Sequence, residues 1–206
     1  MTHMISITIA DDEALIASSL STLLNLEEDL DVRHVAGSGE EILEWWQSPE
    51  HRTDVCVLDL QLGGIDGIDT AAKLMQQTPN LAVLIVTSHA MPRQLKRALS
   101  ADILGFLPKT STADEFATAI RTVHAGRRFI DPELAALTIS AGESPLSNRE
   151  EEVLELAGQG LSAEEIAVAA HLAPGTTRNY LSQAMAKVGA QNRFEAFTRA
   201  REMGWL

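Results

Sequence analysis

The stretch DVCVLDLQLGGIDG, Asp54–Gly67, sets four apolar residues, Val55 to Leu58, directly before a carboxylate, Asp59, and follows it with a glycine-bearing turn. A short apolar run bounded by turn formers predicts a strand buried on both faces. Working outward, comparable runs predict strands at Ile5–Ala10, Val32–Ala36, Val83–Thr87 and Ile103–Leu107, and amphipathic patterns such as Ala14–Leu26 and Thr70–Gln77 predict helices between them. Buried strands alternating with helices form a parallel sheet covered on both sides, and right-handed crossovers make it a doubly wound, flavodoxin-like α/β domain of five strands.

The chain of 206 residues is long enough for two domains with separate cores. With 45% hydrophobic and 22% charged residues it has the composition of a soluble protein. No apolar run approaches the roughly 20 residues of a membrane span, and MTHM lacks the cationic start and apolar core of a signal peptide, so a cytosolic protein is expected. The single cysteine, Cys56, excludes an internal disulfide, and its apolar neighbours predict an inert, packed thiol.

A net charge of −13 argues against nucleic acid in sum but not in distribution. Residues 1–144 carry 10 Lys and Arg against 21 Asp and Glu, whereas Pro174–Arg201 holds five cations (Arg178, Lys187, Arg193, Arg199, Arg201) and one acid, Glu195. That cluster reads as a nucleic-acid face or as a solvated helix face, with equal weight on charge alone. The turn-rich segment 126–145 reads as a linker with one short helix starting at the DPE of Asp131–Glu133. The domains are therefore expected at 1–125 and 146–206.

The last part is all-α. SNRE (Ser147–Glu150), SAEE (Ser162–Glu165) and NRFE (Asn192–Glu195) each place a capping residue three before a glutamate, and Pro174 opens a further helix. Short helices joined at the corners GQG and HLAPG predict a helix-turn-helix unit.

With strand order 2-1-3-4-5, ligands bind outside the carboxyl ends of strands one and three, where the order reverses. Asp11 and Asp12 end strand one, Asp59 ends strand three, Thr87 ends strand four and Lys109 follows strand five. Convergent carboxylates repel, and the cations suited to them are Lys109 and a hard divalent ion such as Mg²⁺. A cation pair and a hydroxyl around Asp59 suit its nucleophilic attack on a phosphoryl group, giving an acyl phosphate. Singly, each acid also reads as a cap or turn former, Asp12 as the cap of the first helix. A Mg²⁺-dependent phosphohydrolase is the rival chemistry, but such enzymes want a second acid two residues after the nucleophile, where this chain has Gln61, so turnover is expected to be poor.

Asp11, Asp12, Asp59, Thr87 and Lys109, with Phe106 three before the lysine, resemble the signature of receiver domains of bacterial two-component response regulators. The resemblance implies that Asp59 accepts phosphate from a sensor histidine kinase. It further implies that Asp12, Asp59 and the Gln61 carbonyl bind Mg²⁺ with Asp11 acting through water, and that Thr87 and Lys109 hold the phosphoryl oxygens. Phe106 takes the place of the switch aromatic, or is simply a core ring. Pro108 precedes the lysine, whereas in many receivers a proline follows it.

Residues 146–206 resemble the DNA-binding domain of the LuxR/NarL (FixJ) family of these regulators, and MISI, LLNLE and RNY resemble its DesR-like subfamily. This implies double-stranded promoter DNA and a homodimer as partners, with the helix from Pro174 as the reader. Thr176, Thr177, Arg178, Asn179, Ser182, Lys187 and Arg193 are the expected DNA contacts. Ala173 stands where the family commonly caps that helix with serine, and Ser182 where it often has a second cation, so modest affinity per subunit is expected. Phe194, Phe197, Ala200 and Met203 read as one apolar stripe, either a dimer face or packing within the domain.

Overall fold

Six parallel strands, β1 (Ile5–Ala10), β2 (Leu30–Ala36), β3 (Val55–Asp59), β4 (Ala82–Thr87), β5 (Gly105–Pro108) and β6 (Phe129–Ile130), form one sheet in the order β2-β1-β3-β4-β5-β6. This is a computed structural model; it describes residues 4–88, 91–140 and 144–206. Residues 1–3 of the MTHM start lie outside the described residues. The chain divides into two compact units, Met1–Ala90 with Gln94–Leu134, and Met91–Arg93 with Ala135–Leu206.

In the first unit the period-two geometry of strands sorts neighbouring residues onto opposite faces. Ile5, Ile7, Ile9, Val55, Val57, Leu84 and Val86 pack with Leu20 and Leu24 of α1 (Ala14–Leu24) and Phe116 and Ile120 of α5 (Ala113–His124). Cys56, Leu58, Val83, Ile85 and Phe106 pack on the other face with Ile42 of α2 (Gly39–Trp45), Leu74 of α3 (Gly67–Gln77) and Leu95 of α4 (Pro92–Ser100). Each such side chain contributes on the order of 1.5–3 kcal/mol on burial. Two covered faces make the sheet doubly wound, as the alternating pattern implies.

Expectation and structure part company in the segment read as linker. Phe129 and Ile130 pair with Gly105 and Phe106 as a sixth strand, and Leu134, 2% exposed, joins the cluster that holds Phe106. Two residues are too few to show a strand's alternation. The short helix starts where DPE places it, as α6 (Pro132–Ser140), with the Leu134 N–H donating to Asp131 Oδ1 at 2.8 Å. The loop after β3 also differs in detail. Of its glycines, Gly64 takes a positive φ of 84° and Gly67 makes the close backbone approach, where a Cβ would stand 2.1 Å from the Asp59 carbonyl oxygen, whereas one at Gly63 meets open space.

The second unit holds α7 (Asn148–Gly158), α8 (Ala163–Ala169), α9 (Pro174–Val188) and α10 (Arg193–Glu202). Ser147 and Ser162 form complete capping boxes with Glu150 and Glu165. Asn192 accepts from the Glu195 N–H, but the Glu195 carboxylate turns to the Gln191 N–H at 2.8 Å, so this box is half made. Leu154, Ala184, Ala196, Ala200 and Leu206 form one cluster and Val153, Ile166 and Leu181 another. Among the described residues no helix is long and apolar enough to cross a membrane.

Glu150 is only 1% exposed, yet it carries a charge. Its carboxylate accepts from the Ser147 N–H at 2.6 Å, the Ser147 hydroxyl at 2.9 Å and Lys187 Nζ at 2.7 Å. Burial pushes its pKa up, but the bonds from Lys187 and Ser147 outweigh this and hold it below the ordinary value. A lowered folded value stabilises the fold above about pH 4.5 and loses that stabilisation as pH falls through it. Lys187→Met is expected to cost about 1–3 kcal/mol at pH 7 and to flatten the acid limb of stability, measured by thermal unfolding of the full chain from pH 3 to 7. An unchanged acid limb would remove the pair from the stability account.

Candidate functional site

Strand β1 lies between β2 and β3, so its carboxyl end marks the reversal of strand order, and the acidic residues collect there. Asp11 and Asp59 are each 3% exposed. Lys109 reaches them because its own N–H continues the ladder to the Thr87 carbonyl at 2.8 Å, just past Pro108, which pairs with Thr87 in register. Its Nζ lies 2.8 Å from Asp11 Oδ2, 2.9 Å from Glu13 Oε1 and 2.8 Å from Asp59 Oδ2. The other Asp59 oxygen accepts from the Gln61 N–H at 3.1 Å, and Asp11 Oδ1 accepts from the Glu13 N–H at 2.9 Å.

The ammonium does not cancel the charge of three acids. Oxygens of Asp11, Glu13 and Asp59 lie within 4.8 Å of one another; the buried Asp11 and Asp59 repel by about 3–4 kcal/mol at an effective dielectric near 20, while water screens the exposed Glu13. Burial raises the Asp11 pKa, with the Asp59 charge adding to it, against the lowering bonds from Lys109 and the Glu13 amide. Burial also works against the Lys109 ammonium, but bonds to Asp11, Asp59 and Glu13 outweigh it and raise the Lys109 pKa. The buried oxygens of Asp11 and Asp59, with residual negative charge, fit a hard divalent cation.

Asp12 stands apart from that set. It is exposed, and it does not cap α1, whose N-cap is Glu13 with no side-chain capping bond. Glu13, which the sequence reading passed over, takes the third place around the lysine; its only sequence signal was position, two residues past Asp11. Thr87 and Phe106 are buried, and Phe106 pairs in register with Ile85, which puts both on one face of adjacent strands, one pleat apart. Phe106 is a core ring in this structure. Cys56 is buried and its thiol pKa is pushed up by desolvation, which leaves it inert as expected.

On the second unit α9 exposes Thr176, Arg178, Asn179 and Ser182 and buries Thr177, Leu181 and Ala184. Thr177 is a correction to the expected contact set, because its side chain turns inward and its hydroxyl donates to the Ala173 carbonyl at 3.3 Å. Ala173 supplies no side-chain acceptor, so the first-turn amides of α9 lack a cap and suit an incoming anion. The cations are less available than their count suggests. Arg178 pairs with Glu164 and Lys187 with Glu150, while Arg193 donates to the Leu161 carbonyl; Arg199 pairs with Glu195 and Arg201 with Glu155.

The apolar stripe of α10 also needs correction. Steps of three residues turn a helix about 300°, so each falls about 60° short of the last. Phe194 is 69% and Met203 47% exposed, while Ala200 is buried and Phe197 packs inward, its ring filling the place of a Cβ on Gly158. Phe197 and Ala200 belong to the domain core rather than to an open face.

Comparison with known proteins agrees with this arrangement. Residues 7–121 match the family model described as response regulator receiver domain, and residues 144–200 match that of bacterial regulatory proteins, luxR family. The chain is 38% identical over 203 residues to the transcriptional regulatory protein DesR of Bacillus subtilis, covering 98% of this chain and 100% of that one. It is 33% identical to the transcriptional regulatory protein UhpA of Escherichia coli, with 98% and 100% covered. A solved structure of the RcsB response regulator of Salmonella typhimurium shares the fold, with a TM-score of 0.71 over 98% of this chain and 99% of that one at 22% identity. With a receiver match over more than half its length, a luxR-type match after it and full-length relatives above 30% identity, the chain belongs to the LuxR/NarL family of DNA-binding two-component response regulators.

Proposed function

We propose that the chain is a transcription factor switched by phosphorylation of Asp59, with the receiver running to Leu134, residues 135–145 as linker and 146–206 as DNA-binding domain. The observation that carries this is the buried Asp59 carboxylate at the sheet's switch point, bonded by Lys109 and the Gln61 amide. An Asp59 oxygen attacks the phosphorus of a sensor kinase's phosphohistidine, the N–P bond breaks, and the imidazole nitrogen takes the electron pair and a proton. Asp59 with Asp12, the Gln61 carbonyl and, through water, Asp11 would hold Mg²⁺, which would neutralise the phosphoryl oxygens. Lys109 and Thr87 take phosphoryl oxygens, and Gln61, which is no acid, leaves the acyl phosphate long-lived.

A phosphoryl group adds roughly −1.5 to −2 charge. Thr87 moves toward it, and Phe106, on the same face, repacks among Leu95 and Ala98 of α4. Moving the population from mostly inactive to mostly active takes about 5.5 kcal/mol of preference between states, to which homodimerisation contributes. In the cytoplasm the dimer binds promoter DNA through α9, with Arg178 and Asn179 at base edges and Thr176, Ser182 and the first-turn amides at phosphates. Lys187 and Arg193 add charge from the rim, and Phe194 with Met203 remain as the exposed apolar part of α10.

Incubated with phosphoramidate and Mg²⁺, the wild type is expected to gain one phosphoryl group by intact mass, dimerise in sedimentation and bind DNA more tightly, while Asp59→Asn does none of these. Equal dimerisation and DNA affinity in both would sink the switch. Arg178→Ala is expected to weaken operator binding by about 1–3 kcal/mol and relax base preference, read by binding titrations at two salt concentrations. A uniform loss across sequences would place Arg178 on the phosphates instead.

A further inference from the structure

Lys109 Nζ donates to Glu13 Oε1 at 2.9 Å and to Asp59 Oδ2 at 2.8 Å, with Asp11 Oδ2 paired to it at 2.8 Å, so carboxylates of three residues crowd one ammonium. A phosphoryl oxygen on Asp59 therefore has to compete for Lys109 with three carboxylates, and the one held most weakly is the one to yield. Asp11 and Asp59 are buried at the strand ends, whereas the Glu13 side chain is 55% exposed and loses little on returning to water. Glu13 is also unoccupied by the duty its position suggests, since it is the N-cap of α1 and caps nothing. Its N–H bond to Asp11 fixes the backbone that aims its carboxylate at Lys109.

We infer that Glu13 is a positioning residue that holds Lys109 in the resting arrangement and must release it before the ammonium can bind the incoming phosphoryl group. The inference rests on the phosphorylation reading above. Loss of the Glu13 bond is part of the route to phosphorylation, so its removal speeds transfer at saturating donor. Donor binding itself, upstream of the release, stays as it was.

The test is the phosphorylation of full-length wild type, Glu13→Gln and Glu13→Ala by phosphoramidate with saturating Mg²⁺, followed by intact mass across donor concentrations, with Mg²⁺ affinity measured by calorimetry. Both variants are expected to show a saturating rate about two- to fivefold higher, the rate equivalent of an exposed ion pair, with an unchanged half-saturating donor concentration and undiminished Mg²⁺ affinity. A saturating rate that is unchanged or lower overturns the inference. So does a gain confined to half-saturation, which means charge repulsion of the donor, or a tenfold fall in Mg²⁺ affinity, which makes Glu13 a metal ligand. Wild type that takes no phosphate on Asp59 overturns the switch reading and this inference with it. Phosphorylated wild type with variants of unaltered kinetics overturns the inference alone.

Discussion

One ammonium among three carboxylates governs the receiver. Lys109 lies within 2.9 Å of Asp11, Glu13 and Asp59, and its single charge leaves the group short of neutral. The arrangement persists because β1, β3 and β5 deliver these residues to one edge, and those strands are fixed by apolar side chains packed on both faces. Residual negative charge in a crevice half-removed from water favours an incoming hard cation, and with it a phosphoryl group. On the proposed phosphorylation of Asp59, the same carboxylates that tie down the lysine at rest would have to exchange it, which would make the site a two-state element rather than a rigid cage.

The helical unit solves a different problem with the same chemistry. Its helices are short, and reciprocal caps at Ser147 and Ser162 together with the buried Glu150 bridged to Lys187 hold the scaffold on which α9 stands. All five cations of the basic stretch are already bonded within the unit, so in the proposed complex DNA would compete with internal partners such as Glu164 for Arg178. Exposed pairs of that kind are worth at most about 1 kcal/mol, small enough to exchange.

Much of this was legible in the sequence where a pattern repeats. Near-continuous apolar runs marked five strands, two to the residue, and the capping spacing marked helix starts, because burial and capping act locally. Legibility failed where a single contact decides. A two-residue strand has no period to detect, so Phe129–Ile130 read as linker. Glu13 carried no sequence signal beyond its position, and only the fold brought Lys109 to it from across the sheet. Gly67 matters through one carbonyl oxygen, and Thr177 faces inward while its neighbours face out. The α10 stripe failed for a geometric reason, since a repeated step of three walks around the helix instead of along it.

The proposed switch joins a chemical event at Asp59 to occupancy of DNA by α9. Genome-wide mapping of sites bound by the wild type and by Asp59→Asn, in the native host under conditions that activate the kinase, tests that link most directly. The account predicts a defined set of promoters occupied by the wild type and lost from the variant. The same promoters bound equally by both would contradict it.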